Sequence, residues 1–244
     1  MHFDSAVFGE FVGTMVLILL GNGVVGGVVL SGTKAENQGW ICVTAGWGFA
    51  VFCGIAIATA LGDPDAHLNP AFTVASVIMS GRPERLFTYI PAQLLGALFG
   101  ATLVWLFYLP HFAITEDPVR KLACFSTGPA IRGYAHNFFC EMVGTFVLVL
   151  VASAFGSRSF AATGVAGGLS PMLVGALVWS IGLSLGATTG YAINPARDLG
   201  PRVAHALLPI VGKGDSDWSY GWVPVLGPVA GATLAAIFVH VSGM

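Results

Sequence analysis

The chain has 244 residues, of which 55% are hydrophobic and only 9% charged, with a mean hydropathy of +0.81; soluble domains carry roughly 25% charged residues, so this one cannot cover a water-facing surface in the usual way. Twelve acidic against ten basic residues leave a net charge of −2, which excludes the electrostatic footprint of a nucleic-acid binder. With 33 glycines, four scattered cysteines and no long charge block, disorder, a coiled coil and a disulfide scaffold are excluded too, leaving a polytopic helical membrane protein.

Six stretches are long and apolar enough to supply the ~20 residues that a span requires. They run from Ala6 to Ser31, interrupted only by Glu10, from Trp40 to Leu61 and from Leu86 to Pro110. After a polar gap come His136 to Ser157, interrupted by Glu141, then Ala161 to Ile193 and Gly221 to Gly243. The fifth exceeds a span, so its ends are expected to be loop, with Pro171 in the first helical turn, where its missing N–H costs nothing. The first stretch lacks a basic n-region and continues too far for a cleavable signal peptide.

Two further apolar pieces, Leu68 to Ser80 and Pro195 to Val211, are too short to cross. Alone, each would read as an interfacial helix. They begin alike, however, with Asn69-Pro70-Ala71 and Asn194-Pro195-Ala196, 125 positions apart. Upstream, the ten residues from Glu10 and the ten from Glu141 share seven identities at an offset of 131. Matched landmarks in the same order indicate a duplication, with copies at about 1–110 and 136–244 in a single channel domain. Each copy holds three spans and one short piece, and an odd number of spans inserts the second copy upside down. The expected fold is therefore all-α, an inverted repeat of six transmembrane helices plus two re-entrant half helices, with its site where the copies meet at the midplane.

Asn is a strong N-cap and Pro is favoured at the first helical position, so one Asn-Pro-Ala would mean only that a helix starts there. Two of them, opening half-length helices in an inverted repeat, aim two helix N-termini at each other. The irregular backbone leading in, Gly62 to Leu68 and Gly186 to Ile193, is tolerable only if buried in protein or lining water. It presents a row of carbonyl acceptors, those of Asp65, Ala66 and His67 and of Thr189, Gly190 and Ala192 among them. The capping Asn side chains add N–H donors, while two positive dipole ends oppose cations, hydronium included. The composite is a narrow polar path for a neutral hydrogen-bonding solute.

Paired Asn-Pro-Ala motifs in a duplicated three-span unit resemble the aquaporin or major intrinsic protein family over essentially the whole chain. His67-Leu-Asn-Pro-Ala and Asn194-Pro-Ala-Arg-Asp-Leu-Gly-Pro resemble its glycerol facilitator (aquaglyceroporin) branch, as does Pro224-Val225 at the start of the sixth span. The resemblance implies a passive channel for glycerol, other small uncharged polyols and water, in a homotetramer with one pore per protomer and no cofactor. It also implies a cell membrane, plasma or bacterial inner, with both termini cytoplasmic. Charge counting runs mildly against that orientation: Arg82, Arg85 and Arg158 would lie inside, and Lys34, Arg120, Lys121, Arg132 and Lys213 outside.

Carrying the family's selectivity filter across gives Trp47, Gly182, Tyr191 and Arg197. Read singly, Trp47 would be an interfacial belt residue, Gly182 a helix-packing residue and Arg197 a snorkelling cation. Gly182 is expected to leave space, the rings of Trp47 and Tyr191 to meet a carbon skeleton, and Arg197 and the loop carbonyls to meet its hydroxyls. Two departures from the family pattern stand out: Tyr191 where the branch commonly has Phe, and a Gly62–His67 loop about two residues longer than the commonest form. Glu10 and Glu141 could relay protons, but a buried acid bonded to loop backbone suits one acid per copy better. Asp198 is expected to hold loop backbone or Arg197, and His67 to anchor its own loop. No spacing suggests a metal site. The cysteines Cys42, Cys53, Cys124 and Cys140 form no CxxC pair, and Gly9/Gly13, Gly96/Gly100 and Gly227/Gly231 read as close helix contacts. Water, urea or dihydroxyacetone remain alternative solutes. A coupled transporter lacks an obvious charged pair on the path beyond Arg197-Asp198, and an enzyme lacks a nucleophile, a base and an orienting partner in one site.

Overall fold

A computed structural model describes residues 5–166 and 168–244. In chain order the helices are α1 (Ser5–Val29), α2 (Trp40–Ala60), α3 (Pro70–Ser80), α4 (Glu84–Phe107), α5 (Leu109–Ile114) and α6 (Pro118–Ala123). They continue with α7 (Tyr134–Gly156), α8 (Leu169–Leu185), α9 (Pro195–Leu207) and α10 (Val223–Ser242), and a 3₁₀ turn, Gly186–Thr188, extends α8. Among the described residues six helices are long and apolar enough to span, at the six places expected. Gly167, within the fifth apolar stretch, lies outside the described residues. Two short helices occupy ground that the sequence offered as span end and polar gap. The third span stops at Phe107, and α5 restarts with Pro110 in its first turn; α6 is opened by Asp117, whose carboxylate accepts from Val119 N at 2.8 Å.

The packing repeats between the halves. Helix α1 lies against α2 and α4, as α7 lies against α8 and α10, and α2 meets α8 between the halves. Each half helix crosses over: α3 packs on α10 as well as on its own α4, and α9 packs on α4 as well as on α10. Glycines set these approaches. A methyl group on Gly100 would stand 2.6 Å from Met15 O, and one on Gly96 or Gly231 would overlap the backbone oxygen of Phe11 or Met142. At the α2–α8 crossing the relation is reciprocal, a methyl on Gly48 falling 2.8 Å from Gly175 O and one on Gly175 falling 2.7 Å from Gly48 O.

The outward faces carry Phe87, Leu95, Phe99, Leu106, Phe107 and Val241, all exposed, which hydrocarbon solvates and water does not. The chain is a multi-pass membrane protein. Its interior holds polar groups instead, Glu10, Asn22, Gln93, Glu141, Asp198 and Arg202 being buried. In a helical bundle such groups are retained only with partners, and those partners define the site.

Candidate functional site

The two loops entering the half helices share left-handed backbone at two equivalent places. Ala66 (φ 41°) and Leu68 (φ 52°) are left-handed in one, and Tyr191 (φ 38°) and Ile193 (φ 43°) at the equivalent places in the other. Alternating hands gather successive N–H groups on one side, where they form an anion nest. A glutamate fills each nest. Glu10 accepts from His67 N (2.6 Å), Leu68 N (2.8 Å) and Gln93 Nε2 (2.8 Å); Glu141 accepts from Ala192 N (3.0 Å) and Ile193 N (2.8 Å). Each acid is thus hydrogen-bonded to two consecutive N–H groups of its loop. His67 is tied a second time through its ring, Nδ1 lying 3.2 Å from Thr73 Oγ1.

The half helices meet through their capping residues. Asn69 Oδ1 accepts from Ala71 N at 2.9 Å, and Asn194 Oδ1 from Ala196 N at 2.9 Å and Arg197 N at 3.2 Å. Each amide nitrogen crosses to the other loop: Asn69 Nδ2 donates to Ile193 O and Asn194 Nδ2 to Leu68 O, both at 2.8 Å. A side-chain amide has two N–H groups, so each Asn keeps one for another acceptor. Pro70, Ala71, Pro195 and Ala196 follow, buried, as the first residues of α3 and α9.

Two cavities lie along this path, and only the first reaches the capping residues. The first, about 370 Å³, is lined by the loop residues Asp65 to Asn69 and Ala192 to Asn194 together with the apolar residues Leu17, Val51, Ile55, Leu148 and Val178. The second, about 340 Å³, lies among Val25, Val43, Ser126, Thr127 and Gly190. Trp47, Tyr191 and Arg197 line both, so they form the partition between them. The Arg197 guanidinium carbon sits 4.1 Å from the centre of the Trp47 ring, a cation–π contact, and Arg197 Nη1 has no hydrogen-bond partner. Trp47 is seated by Gly21, where any side chain would overlap its ring. Of the expected residues, Gly182 lines neither cavity and stands behind Tyr191, while Thr189, also lining neither, accepts from Tyr191 N at 3.3 Å. The apolar lining was not legible in sequence, because its residues look like any helix-packing residues.

Asp198 does not bond to Arg197. It accepts from Thr127 N and Oγ1, both at 2.7 Å, and from Arg202 Nε and Nη2 at 2.8 and 3.0 Å. Arg202, which sequence reading passed over, also donates to the carbonyls of Thr127, Ser216 and Asp217. Its spacing, four residues after Asp198 on one helix, was the available signal. The pair fixes residues 126–127, a wall of the second cavity. Among the described residues, no group of three His, Cys, Asp or Glu could hold a metal ion.

The family model described as Major intrinsic protein matches residues 1–239. The chain belongs to the major intrinsic protein family. Similar curated proteins include the probable glycerol uptake facilitator protein of Thermotoga maritima, 52% identical over 95% of this chain and 97% of that protein. The glycerol uptake facilitator protein of Streptococcus pneumoniae R6 is also 52% identical, over 96% and 97% of the two chains. Among solved structures, the aquaglyceroporin from Plasmodium falciparum superposes with a TM-score of 0.84 at 28% identity, covering 96% of this chain and 94% of that one. Membership makes the protein a membrane channel and not an enzyme, and the inverted-repeat fold is the family's.

Proposed function

We propose that this member of the family is a passive pathway for glycerol, other small uncharged polyols and water, closed to ions and protons. The observation that carries the reading is the mixed lining of the passage joined at Trp47, Tyr191 and Arg197, which combines apolar side chains with the polar loop residues and the two capping Asn residues. A polyol has the same mixed character. Its CH groups slide on Val51, Ile55, Val178 and the two aromatic rings. Its hydroxyls exchange water for the carbonyls of Asp65, Ala66, His67, Gly190 and Ala192, for the free N–H groups of Asn69 and Asn194, and for Arg197 Nη1. Desolvation is thus offset at each step without any tight site.

Charge exclusion has two sources. Arg197 is a fixed cation at the partition, and the N-termini of α3 and α9 put partial positive charge at the junction of the loops. The Asn69 and Asn194 amides hold their donors toward any water there, so water cannot relay a proton through that point. The relatives' names support glycerol as the solute. Within the same reading, the protomer assembles as a homotetramer in the plasma or bacterial inner membrane with both termini cytoplasmic, as the family resemblance implies.

Shrink–swell measurements on proteoliposomes test this directly, with glycerol and water in parallel. Glycerol is expected to equilibrate along its own gradient, unaffected by an imposed proton or sodium gradient. Concentrative uptake would end the channel reading, and water flux without glycerol flux would end the polyol reading.

A further inference from the structure

Gly182 and Gly186, one turn apart at the end of α8, are filled by a ring. A methyl carbon at Gly182 would stand 2.8 Å from Tyr191 Cζ and 2.9 Å from its hydroxyl oxygen. At Gly186 it would stand 2.5 Å from Tyr191 Cδ1 and 3.0 Å from Cγ. Tyr191 therefore lies along both glycines, from its root to its hydroxyl. Trp40 closes the groove: its ring is edge-on to Tyr191, with centroids 5.8 Å apart, and its Nε1 donates to Gly182 O at 3.0 Å.

The ring has one free side. Neither glycine lines a cavity, whereas Tyr191 lines both. Its backbone cannot retreat, because φ is 38° and the next two N–H groups are bonded to Glu141. An atom added at Gly186 would also stand 3.0 Å from Trp40 Cζ2, but Trp40 is held by its bond to Gly182 O. The closer Tyr191 ring therefore yields by turning about its own side-chain bonds toward the cavities it lines. We propose that Gly186, together with Trp40, is a specificity-setting positioning residue: the glycine groove draws the Tyr191 ring back from the partition far enough for a CH–OH unit to pass. Gly182 acts in the same way, through Tyr191 and not by leaving open space of its own. The inference rests on the polyol-channel reading above.

The test compares glycerol and water permeability in proteoliposomes for the unmodified protein, Gly186→Ala, Tyr191→Leu and the double variant. Glycerol flux through the unmodified protein checks the channel reading by itself. In Gly186→Ala, glycerol permeability is expected to fall about tenfold, with water permeability falling much less. In the Tyr191→Leu background the same substitution is expected to leave the glycerol-to-water ratio unchanged, since no ring remains to displace. An unchanged ratio in the single variant, or an equal fall in both backgrounds, would overturn the proposal. If Gly186→Ala alone fails to assemble, the double variant decides: assembly with the ratio of Tyr191→Leu supports the groove, and failure to assemble shows that Gly186 serves helix packing instead.

Discussion

Asp198 and Arg202, one turn apart on α9, form an ion pair with no solvent exposure on either side chain. Five hydrogen bonds from the guanidinium and two from Thr127 complete it, so neither charge is left uncompensated. Replacing Arg202 by Met leaves a buried carboxylate and strips the Thr127 and Ser216 carbonyls of their partner, while Asp217 O keeps Tyr220 N. The loss is expected to be about 3–5 kcal/mol, the usual cost of removing one partner of a buried pair. Thermal unfolding in detergent measures it. A shift no larger than that of an exposed Arg→Met change would show that the pair adds little.

The glutamates offer a paired comparison. Glu10→Gln and Glu141→Gln each substitute a neutral amide for the carboxylate that holds two consecutive loop N–H groups. The amide keeps one acceptor oxygen for two N–H groups, and a buried donor left unpaired costs about 1–3 kcal/mol, so each variant should lose stability on that scale. Both conductances should fall with it, water and glycerol alike, because the whole carbonyl row shifts. Glu10 also holds Gln93, so its variant should be the worse of the two. Unchanged stability and unchanged flux in both variants would show that the carboxyls do not hold the loops.

Arg197→Ala removes the cation from the partition and leaves the two helix N-termini as the remaining barrier to cations. Glycerol permeability should change by less than about tenfold, the worth of one ordinary hydrogen bond. Proton or alkali-cation leak, read by a pH-sensitive dye or by vesicle potential, should rise above that of empty liposomes. A leak at background would place ion exclusion with the helix ends alone.

Glu36, in the loop after α1, accepts from Gly32 N at 2.8 Å and from Arg120 Nη2 at 2.9 Å. The Gly32 amide first, and Arg120 second, hold its carboxyl below the ordinary 4.5. A carboxyl depressed on folding stabilises the folded state above its ordinary pKa, and that contribution is lost as pH falls through the lowered value. Glu36→Gln should therefore flatten the part of the thermal-stability profile lying below about pH 4.5 and leave the shape above it unchanged. An identical acid limb in both proteins would remove Glu36 from the account.

Much of the architecture was legible in residue order. Span length, the repeated Glu10 and Glu141 segments and the repeated Asn-Pro-Ala caps are local or periodic features, and apolar runs in a bilayer have one stable form, the helix. They therefore determine six crossings, two half helices and an inverted repeat without any knowledge of contacts. Tertiary structure decided the rest. That Asp198 holds Thr127 and Arg202 instead of its neighbour Arg197 depends on where the 126–127 segment lies, 71 residues away along the chain. That Gly182 carries a tyrosine ring instead of a solute depends on how α8 meets the left-handed loop at Tyr191. A glycine or a charge announces in sequence that something must fit beside it. What fits is settled by close packing among segments distant in sequence, where tenths of an ångström separate a lining residue from a buried support.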